Sequence, residues 1–165
     1  MNETLNRIRT SVRSIYGLGN LDEWISKNTR LSGKPYSFTD YEYQIPIIKD
    51  DAKKSIIVKP AQVGLSELAY RWAVASCCVV EDFTCIYIFP TTTDAERNNK
   101  TRIDPMIAES PELRRLVSTN INNSEMKQFG RNSFLMFRGT KSATSALNTP
   151  ANAIVLDEFD KCDID

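Results

Sequence analysis

The chain has 165 residues, which is enough for one well-built core and too few for two. Lysine plus arginine equals aspartate plus glutamate at 21 each, so the overall charge does not indicate nucleic-acid binding, and any DNA contact has to come from a local patch. Since the chain has no histidine and no CxxC pair among its four cysteines, zinc fingers and histidine-based catalysis are excluded within it.

Cys77, Cys78 and Cys85 lie in apolar stretches, which predicts buried, reduced thiols in a cytoplasmic compartment. No apolar run reaches membrane-spanning length, and the polar N-terminal residues are not typical of a signal peptide. We therefore expect no membrane partner.

Residues 1–42 are predicted to form an N-terminal segment of helix and loop. Apolar residues recur there at helical spacing with arginines between them: Leu5, Ile8, Val12 and Ile15. This pattern predicts an amphipathic helix over 3–16, which either packs on the flank of the domain or docks a partner protein. A short helix is expected over 21–27, and residues 28–42 are rich in turn formers.

Tyr43 and Gln44 open a short apolar segment. A glutamine side chain can present both an acceptor and a donor to adenine, and a neighbouring tyrosine can stack on the face of the base. These two residues are candidates for adenine recognition, although the segment is also typical of an ordinary helix start.

Residues 55–67, SIIVKPAQVGLSE, predict a strand, a tight loop and the start of a helix. Residues 55–58 have the β-branched richness of a buried strand, and apolar residues recur at helical spacing after the loop. In such a unit the loop N–H groups and the helix N-terminus form a site suited to phosphate oxygens. The alternative is an ordinary strand-to-helix turn with one glycine.

The details of this loop depart from the usual phosphate loop, which has a lysine directly after its last glycine. Here Leu65 takes that place, and the cation of the loop is Lys59, at the junction of strand and loop. Because lysine acts on phosphate as a point charge, its ammonium can be supplied from another backbone position. Gly64 permits close approach, and Ser66 stands where a P-loop hydroxyl binds Mg²⁺. The predicted nucleotide-binding loop is Lys59, Pro60, Ala61, Gln62, Val63, Gly64, Leu65, Ser66 and Glu67.

A second strand is predicted over 83–89, and Thr93 or Asp94 is expected to cap the helix that follows. That helix carries basic residues, which indicate a solvated face or, as the alternative, contact with phosphate or DNA: Arg97, Lys100 and Arg102.

The segment between this helix and the last strand predicts smaller elements. We expect a brief helix from Pro111, a loop over 118–123, and a hairpin over 129–138 with its turn at 130–133. Residues 139–152 are small and polar, which predicts a flexible segment.

Ala153–Leu156 predicts an apolar strand that ends in two carboxylates, Asp157 and Glu158. Parallel strands of α/β sheets end at the crevice where ligands bind, so both side chains are expected there. One carboxylate suits Mg²⁺, and the next can polarise the water that attacks the γ-phosphate. Together with the loop, this strand predicts an ATP site.

Four blocks of the sequence resemble the N-terminal ATPase part of phage terminase large subunits, particularly the lambda-type group. They are VKPAQVGLSE, FPTTTDAERNNKTRIDPMIAESPEL, GTKSATSALNTPA and IVLDEFDKC, and the resemblance covers most of residues 20–163. The second block is the most specific. Proteins like these use ATP to translocate double-stranded DNA into an empty procapsid, and their variant P-loops often bear the working lysine at the start of the loop, as Lys59 does.

The resemblance implies roles for single residues. Residues 59–66 correspond to a Walker A loop, Asp157 to the Mg²⁺ carboxylate and Glu158 to the catalytic carboxylate of a Walker B strand. Gln44, with Tyr43 beside it, corresponds to the adenine-recognition position. Terminases often supply an arginine from the loop before this strand to a neighbouring subunit. That loop has no arginine here, so the role is expected of Arg138 or Lys141, or lies elsewhere.

The resemblance also implies cofactors and partners. ATP and Mg²⁺ are the expected cofactors, and double-stranded DNA, the small terminase subunit and the portal or procapsid are the expected partners. The working motor is expected to be a homo-oligomer in the cytoplasm of an infected bacterial host.

We predict a three-layer α/β P-loop NTPase fold over residues 43–165, incomplete at its C-terminus. Residues 55–58, 83–89 and Ala153–Leu156 are expected to form a mostly parallel sheet, covered by helices after Gly64 and after Thr93. Because the sequence stops soon after the Asp–Glu pair, without a nuclease domain, we expect a fragment or a truncated reading frame with reduced or absent turnover.

Two other functions remain open at this stage. One is a helicase-like P-loop ATPase that acts on nucleic acid without packaging it. The other is a truncated partner-binding domain with a vestigial nucleotide pocket.

Overall fold

The computed structural model describes residues 20–50, 52–140 and 149–162. Within them, helices and a five-stranded sheet form an α/β fold. The helix predicted over 3–16 lies outside the described residues.

The first described elements pack on a long central helix. α1 (Leu21–Asn28) confirms the predicted short helix, and the two-residue strands β1 (Arg30–Leu31) and β2 (Lys34–Pro35) form a small antiparallel hairpin in the turn-rich segment. α2 (Gln44–Lys49) follows. One buried apolar cluster joins these elements to the central helix: Leu21, Ile25, Tyr36, Phe38, Ile48, Leu68 and Ala75.

The central helix, α3 (Leu65–Val79), begins directly after Gly64, as predicted. Gly64 has φ 71°, in the left-handed region that favours glycine, and it stands at the N-cap position. The chain can therefore turn sharply from the loop into the helix. Buried residues on one side of α3 face the sheet: Tyr70, Ala73, Val74 and Cys77.

The sheet has the strand order β4-β5-β6-β3-β7. Its strands are β3 (Thr84–Phe89), β4 (Val117–Asn122), β5 (Met126–Phe129), β6 (Ser133–Gly139) and β7 (Ala153–Leu156). β3 runs parallel to β6 and β7, whereas β5 is antiparallel to both β4 and β6. This corrects the prediction of a mostly parallel sheet. The sheet is mixed, because a tight hairpin can join only antiparallel strands.

Two predictions for this region have different outcomes. The hairpin predicted over 129–138 is confirmed as β5 and β6. The loop predicted over 118–123 is wrong, because most of this stretch belongs to β4. Its polar residues suit an edge strand, whose pairing with β5 depends on the neighbouring strand rather than on its own composition.

The core lies between β3 and the helices. Alternate residues of β3, Cys85, Tyr87 and Phe89, belong to one buried cluster with α3 and with the helices that follow β3. Because these helices share one face of β3, the described residues show a helical layer on that face. A second helical layer, which the three-layer prediction requires, is not seen in the part of the chain that the structure describes.

Residues 55–58 do not form the predicted strand. Ile56 and Val58 are 94% and 95% exposed, and no described strand pairs with this segment. Both sides of β3 are already occupied, by β6 and β7. A β-branched run fits a pleated surface but forms hydrogen bonds as a strand only beside a neighbouring strand. The composition of residues 55–58 was therefore not sufficient to predict a strand.

The helix predicted after β3 is confirmed, with an unexpected interruption. α4 (Thr92–Asn98) continues through a π-helical turn (Asn99–Ile103) into α5 (Asp104–Glu109), and α6 (Pro111–Leu116) confirms the brief helix.

The cap of α4 is Thr91, which corrects the prediction of Thr93 or Asp94. The Thr91 side chain accepts a hydrogen bond from the Asp94 N–H at 3.0 Å. The helix begins this early because Pro90 ends the strand and the chain turns at once.

The four cysteines are free thiols, and Cys77 and Cys85 are buried. Burial raises the pKa of the Cys85 thiol to about 12, which keeps it protonated and inert near neutral pH. None of the described helices is both long and apolar enough to cross a membrane.

Candidate functional site

The side chains of Lys59, Ser66 and Asp157 converge at one point. The Lys59 Nζ donates to the Ser66 Oγ at 2.7 Å and lies 3.5 Å from the Asp157 Oδ1. The Ser66 hydroxyl donates to the same Asp157 oxygen at 3.1 Å. The loop and the end of β7, far apart in sequence, are therefore joined by a cation, a hydroxyl and a carboxylate.

Three structural elements place these groups. Lys59 precedes the turn, Ser66 lies in the first turn of α3, and Asp157 follows the last residue of β7. The Asp157 N–H still donates to the Ile88 carbonyl at 3.1 Å, so its backbone is fixed to the central strand. Because the N-cap of α3 is a glycine, no side chain caps the first turn, and its N–H groups remain suited to an anion.

Both oxygens of the Asp157 carboxylate have protein partners, and the group is only 8% exposed. Besides Ser66 and Lys59, the Oδ1 accepts from the Glu158 N–H at 3.1 Å. The Oδ2 accepts from the Tyr87 hydroxyl at 3.1 Å. Burial, and next the neighbouring Asp157 carboxylate, raise the pKa of Tyr87, so this hydroxyl stays a donor. Sequence reasoning did not single out Tyr87, because its contact with residue 157 depends on the pairing of β3 with β7.

Glu158 adopts a left-handed backbone, with φ 54°. This conformation is uncommon for a residue other than glycine, and it turns the chain between β7 and the short 3₁₀ turn Phe159–Lys161. The Glu158 carboxylate pairs with the exposed Lys161 Nζ at 3.0 Å. The two adjacent acids thus diverge: the Asp157 carboxylate faces Lys59 and Ser66, and the Glu158 carboxylate faces the exposed Lys161.

Gln44 holds the loop from behind. Its side chain is 1% exposed, its Oε1 accepts from the Tyr36 hydroxyl at 2.9 Å, and its Nε2 donates to the Val63 carbonyl at 3.3 Å. The Tyr43 hydroxyl donates to the same carbonyl. Both predicted adenine residues therefore contact the loop backbone, and adenine contact by them stays a prediction.

Glu67, the last residue of the predicted loop, belongs to a buried pair. Its Oε1 accepts from the Arg71 Nη2 at 2.7 Å, and the Arg71 guanidinium lies 4.2 Å from the centre of the Tyr36 ring. Burial lowers the pKa of Arg71, while the Glu67 carboxylate opposes this effect. This pair fixes the first turn of α3 against the segment that carries Tyr36.

A cleft of about 630 Å³ opens over the loop. Lys59, residues 62–67, Asp157 and Glu158 line it, whereas Pro60 and Ala61 do not. Gln44 and Tyr41 also line the cleft, whereas the predicted Tyr43 does not.

Arg97, in α4, and Arg102, in the π-helical turn, also line the cleft. The sequence offered these arginines only as an alternative to a solvated face. Arg138 contacts the carbonyls of Glu125 and Phe137 and is not part of the lining, and Lys141 lies outside the described residues.

Comparison with known proteins gives one match. Residues 39–165, more than three quarters of the chain, match the family of the phage terminase large subunit gpA ATPase domain. The chain belongs to this family. The resemblance stated from the sequence is thereby confirmed, and the family connects the chain with terminase, ATPase activity and DNA packaging in bacteriophages. No curated protein and no solved structure matches it.

The site of this terminase ATPase domain fits a magnesium ion. Two oxygen ligands at adjacent corners of a Mg²⁺ octahedron stand about 3.0 Å apart, and the Ser66 Oγ and the Asp157 Oδ1 lie 3.1 Å apart. Among the described residues no group of three or more His, Cys, Asp or Glu side chains could hold a metal. Mg²⁺ is commonly held by one or two protein groups together with waters and substrate phosphates, and the two protein groups here would be Ser66 and Asp157.

The Gly64 position generates a prediction about the loop. A Cβ there would lie 3.0 Å from the Gln44 Nε2 in addition to the strain of φ 71°, whereas Gly130, with φ 58°, has nothing within 4 Å. An alanine in the left-handed region is expected to lower the free energy of unfolding by roughly 1–2 kcal/mol, and Gly130→Ala should show this loss. Gly64→Ala should show a larger loss, because the contact with Gln44 adds to the same backbone strain. Chemical denaturation of both variants measures the difference. An equal loss in the two would contradict the proposed contact with Gln44.

Proposed function

We propose that this terminase domain binds Mg-ATP in the cleft and hydrolyses it to drive double-stranded DNA into a procapsid. The observation that carries the proposal is the convergence of the Lys59 ammonium, the Ser66 hydroxyl and the Asp157 carboxylate, which are the groups that a magnesium triphosphate needs. A P-loop NTPase fold over residues 43–165 is part of the same proposal. Membership of the family and the α/β architecture, with a helix that begins directly after the loop, support it.

The proposed chemistry is positioning plus electrostatics. Lys59 and the N–H groups of the loop and of the first turn of α3 bind the phosphates, and Ser66 and Asp157 would hold Mg²⁺. The bound ion would neutralise charge that develops on the phosphate oxygens. Glu158 orients the attacking water, after its carboxylate releases Lys161.

Arg97 and Arg102 add positive charge to the lining of the cleft, where Arg97 is paired with Asp94. In a regular α-helix, residues five apart point about 140° away from each other. The π-helical turn closes hydrogen bonds over five residues, as the Asp104 N–H shows by donating to the Asn99 carbonyl. Arg97 and Arg102 can therefore face one side, and we assign them to the phosphates of the nucleotide.

We assign adenine recognition to Gln44, which lines the cleft, and to its neighbour Tyr43, which lies outside the lining and contacts the Val63 carbonyl of the loop. Tyr41 is added because it also lines the cleft. The Gln44 amide is held in one orientation by its hydrogen bonds to the Tyr36 hydroxyl and the Val63 carbonyl. In this proposal, adenine binds against an amide that is already oriented. Comparing the affinities for ATP and GTP tests this assignment, and equal affinities would contradict it.

The partners of the motor follow from the family and are proposed as such. They are double-stranded DNA, the small terminase subunit, the portal or procapsid, and further copies of the chain in the cytoplasm of the infected host. Stimulation of ATP hydrolysis by procapsid portals supports packaging. Stimulation by single strands alone would favour the helicase-like alternative.

Titration calorimetry with Mg²⁺ and a non-hydrolysable ATP analogue tests the proposal directly. The unchanged chain should bind, and Lys59→Ala should abolish binding because the phosphates lose their nearest cation. Leu65→Ala should matter much less, since the usual lysine position is not used, and Lys54→Ala serves as a control for the loss of one exposed lysine. If no heat of binding is measured for any of the proteins, the result favours the partner-binding domain with a vestigial pocket. Unchanged binding in Lys59→Ala would refute the role of that lysine.

Glu158→Gln separates binding from hydrolysis. The amide keeps the size of the side chain but cannot accept a proton from water, so the affinity for Mg-ATP should stay within about threefold while turnover falls by about 10²-fold or more. Phosphate release in a chain that hydrolyses ATP measures the second quantity. Turnover close to that of the unchanged protein would remove Glu158 from the mechanism.

Arg102→Ala tests the assignment of Arg102 to the phosphates of the nucleotide. Loss of a charged hydrogen bond to phosphate costs about 1.5–3 kcal/mol, so binding of the analogue should weaken by at least tenfold. Arg131→Ala removes an exposed arginine outside the cleft and should leave the affinity unchanged. Equal affinities of the two variants would mean that Arg102 does not contact the phosphates and belongs to a solvated face.

A further inference from the structure

Tyr87 touches the proposed metal carboxylate from inside the protein. It is 0% exposed, it lies in the central strand β3, and its hydroxyl donates to the Asp157 Oδ2 at 3.1 Å. The hydroxyl therefore meets Asp157 from the core, whereas Lys59 and Ser66 meet it from the loop.

The partners of Asp157 divide between its two oxygens. The Oδ1 contacts the Ser66 hydroxyl, the Lys59 ammonium and the Glu158 N–H, while the Oδ2 accepts from the Tyr87 hydroxyl. A carboxylate held at one oxygen only can rotate about its last bond. A donor on the other oxygen fixes the plane of the group, so the Oδ1 keeps its direction toward Ser66.

The Tyr87 ring is itself held in place. It stacks on Phe89 with a centroid separation of 4.9 Å and lies 5.1 Å from the Tyr70 ring. The backbone of Tyr87 pairs with Val155, two residues before Asp157. The position of the hydroxyl is thus fixed by the core and by the same strand pair that carries the carboxylate.

From this geometry we infer that Tyr87 is a positioning residue, which holds Asp157 in the orientation that binds Mg²⁺ with the nucleotide. The inference rests on the proposed function, because it concerns the metal of that site. Residues behind a metal ligand commonly change metal affinity by 10–100-fold when they are altered. If the Tyr87 hydroxyl bond only stabilised the fold, its loss would lower the stability of the protein without changing the affinity for Mg²⁺.

Tyr87→Phe removes the donor and keeps the ring. In the full chain, we expect the Mg²⁺ concentration that gives half-maximal binding of a non-hydrolysable ATP analogue to rise about tenfold. Binding of the analogue in EDTA should not change, because no metal is then involved. Fluorescence titration with a labelled analogue measures both quantities.

Tyr70→Phe is the matched control. Tyr70 is another buried tyrosine of the same aromatic cluster, but its hydroxyl donates to the Asn98 side chain at 3.1 Å and not to Asp157. Because Tyr70 also lines the cleft, its loss can change the affinity for the analogue, and the comparison uses only the dependence on Mg²⁺. Loss of the Tyr70 hydroxyl should leave the Mg²⁺ concentration for half-maximal binding of the analogue unchanged, even if thermal stability falls equally in the two variants. The same Mg²⁺ dependence in Tyr87→Phe and Tyr70→Phe would overturn the inference.

A second measurement keeps the hydroxyl and does not depend on the folding of a variant. The ¹⁹F signal of 3-fluorotyrosine incorporated at position 87 alone should shift when Mg²⁺ is added with the analogue, and not when the analogue is added in EDTA. A signal that is insensitive to Mg²⁺, in a chain that binds the Mg²⁺ complex, refutes the role of Tyr87 alone. Absence of Mg²⁺-dependent binding by the unchanged chain refutes the proposed function, and the inference with it.

Discussion

The charge pair between Lys59 and Asp157, bridged by the Ser66 hydroxyl, is the constraint on which the site depends. The carboxylate is largely buried, and a buried charge is costly unless it is paired and hydrogen-bonded. Lys59 supplies the opposite charge, while Ser66, Tyr87 and the Glu158 N–H supply the hydrogen bonds. This network attaches the loop before α3 to the end of β7.

The local order of elements could largely be predicted from sequence because it depends on local patterns. The glycine at the start of α3, the apolar run of β7 and the turn between β5 and β6 each carry their own signal, and each appears where it was expected. Most of the predictions that were wrong concern strands, whose pairing depends on residues that are distant in sequence. Residues 55–58 have the composition of a strand but no paired neighbour among the described strands, and the polar β4 pairs with β5 in spite of its composition.

The candidate site shows the same division. Lys59, Ser66 and Asp157 were identified from residue type and order, and the structure brings them within hydrogen-bonding or ion-pair distance. Tyr87 could not be identified, because its role depends on the register between β3 and β7. Arg97 and Arg102 line the cleft on either side of the start of a π-helical turn, for which the sequence pattern gave no signal. Gln44 was identified for adenine, yet its burial shows a supporting contact to the loop that periodicity cannot reveal.

The central claim is that one magnesium triphosphate binds among Lys59, Ser66 and Asp157. A crystal structure of the chain with Mg²⁺ and a non-hydrolysable ATP analogue tests it most directly. The account predicts a metal ion beside the Ser66 Oγ and the Asp157 Oδ1, directly or through water, with the Lys59 Nζ moved onto the phosphate oxygens. A nucleotide bound elsewhere, or a Lys59 ammonium still paired with Asp157 in the occupied site, would contradict it.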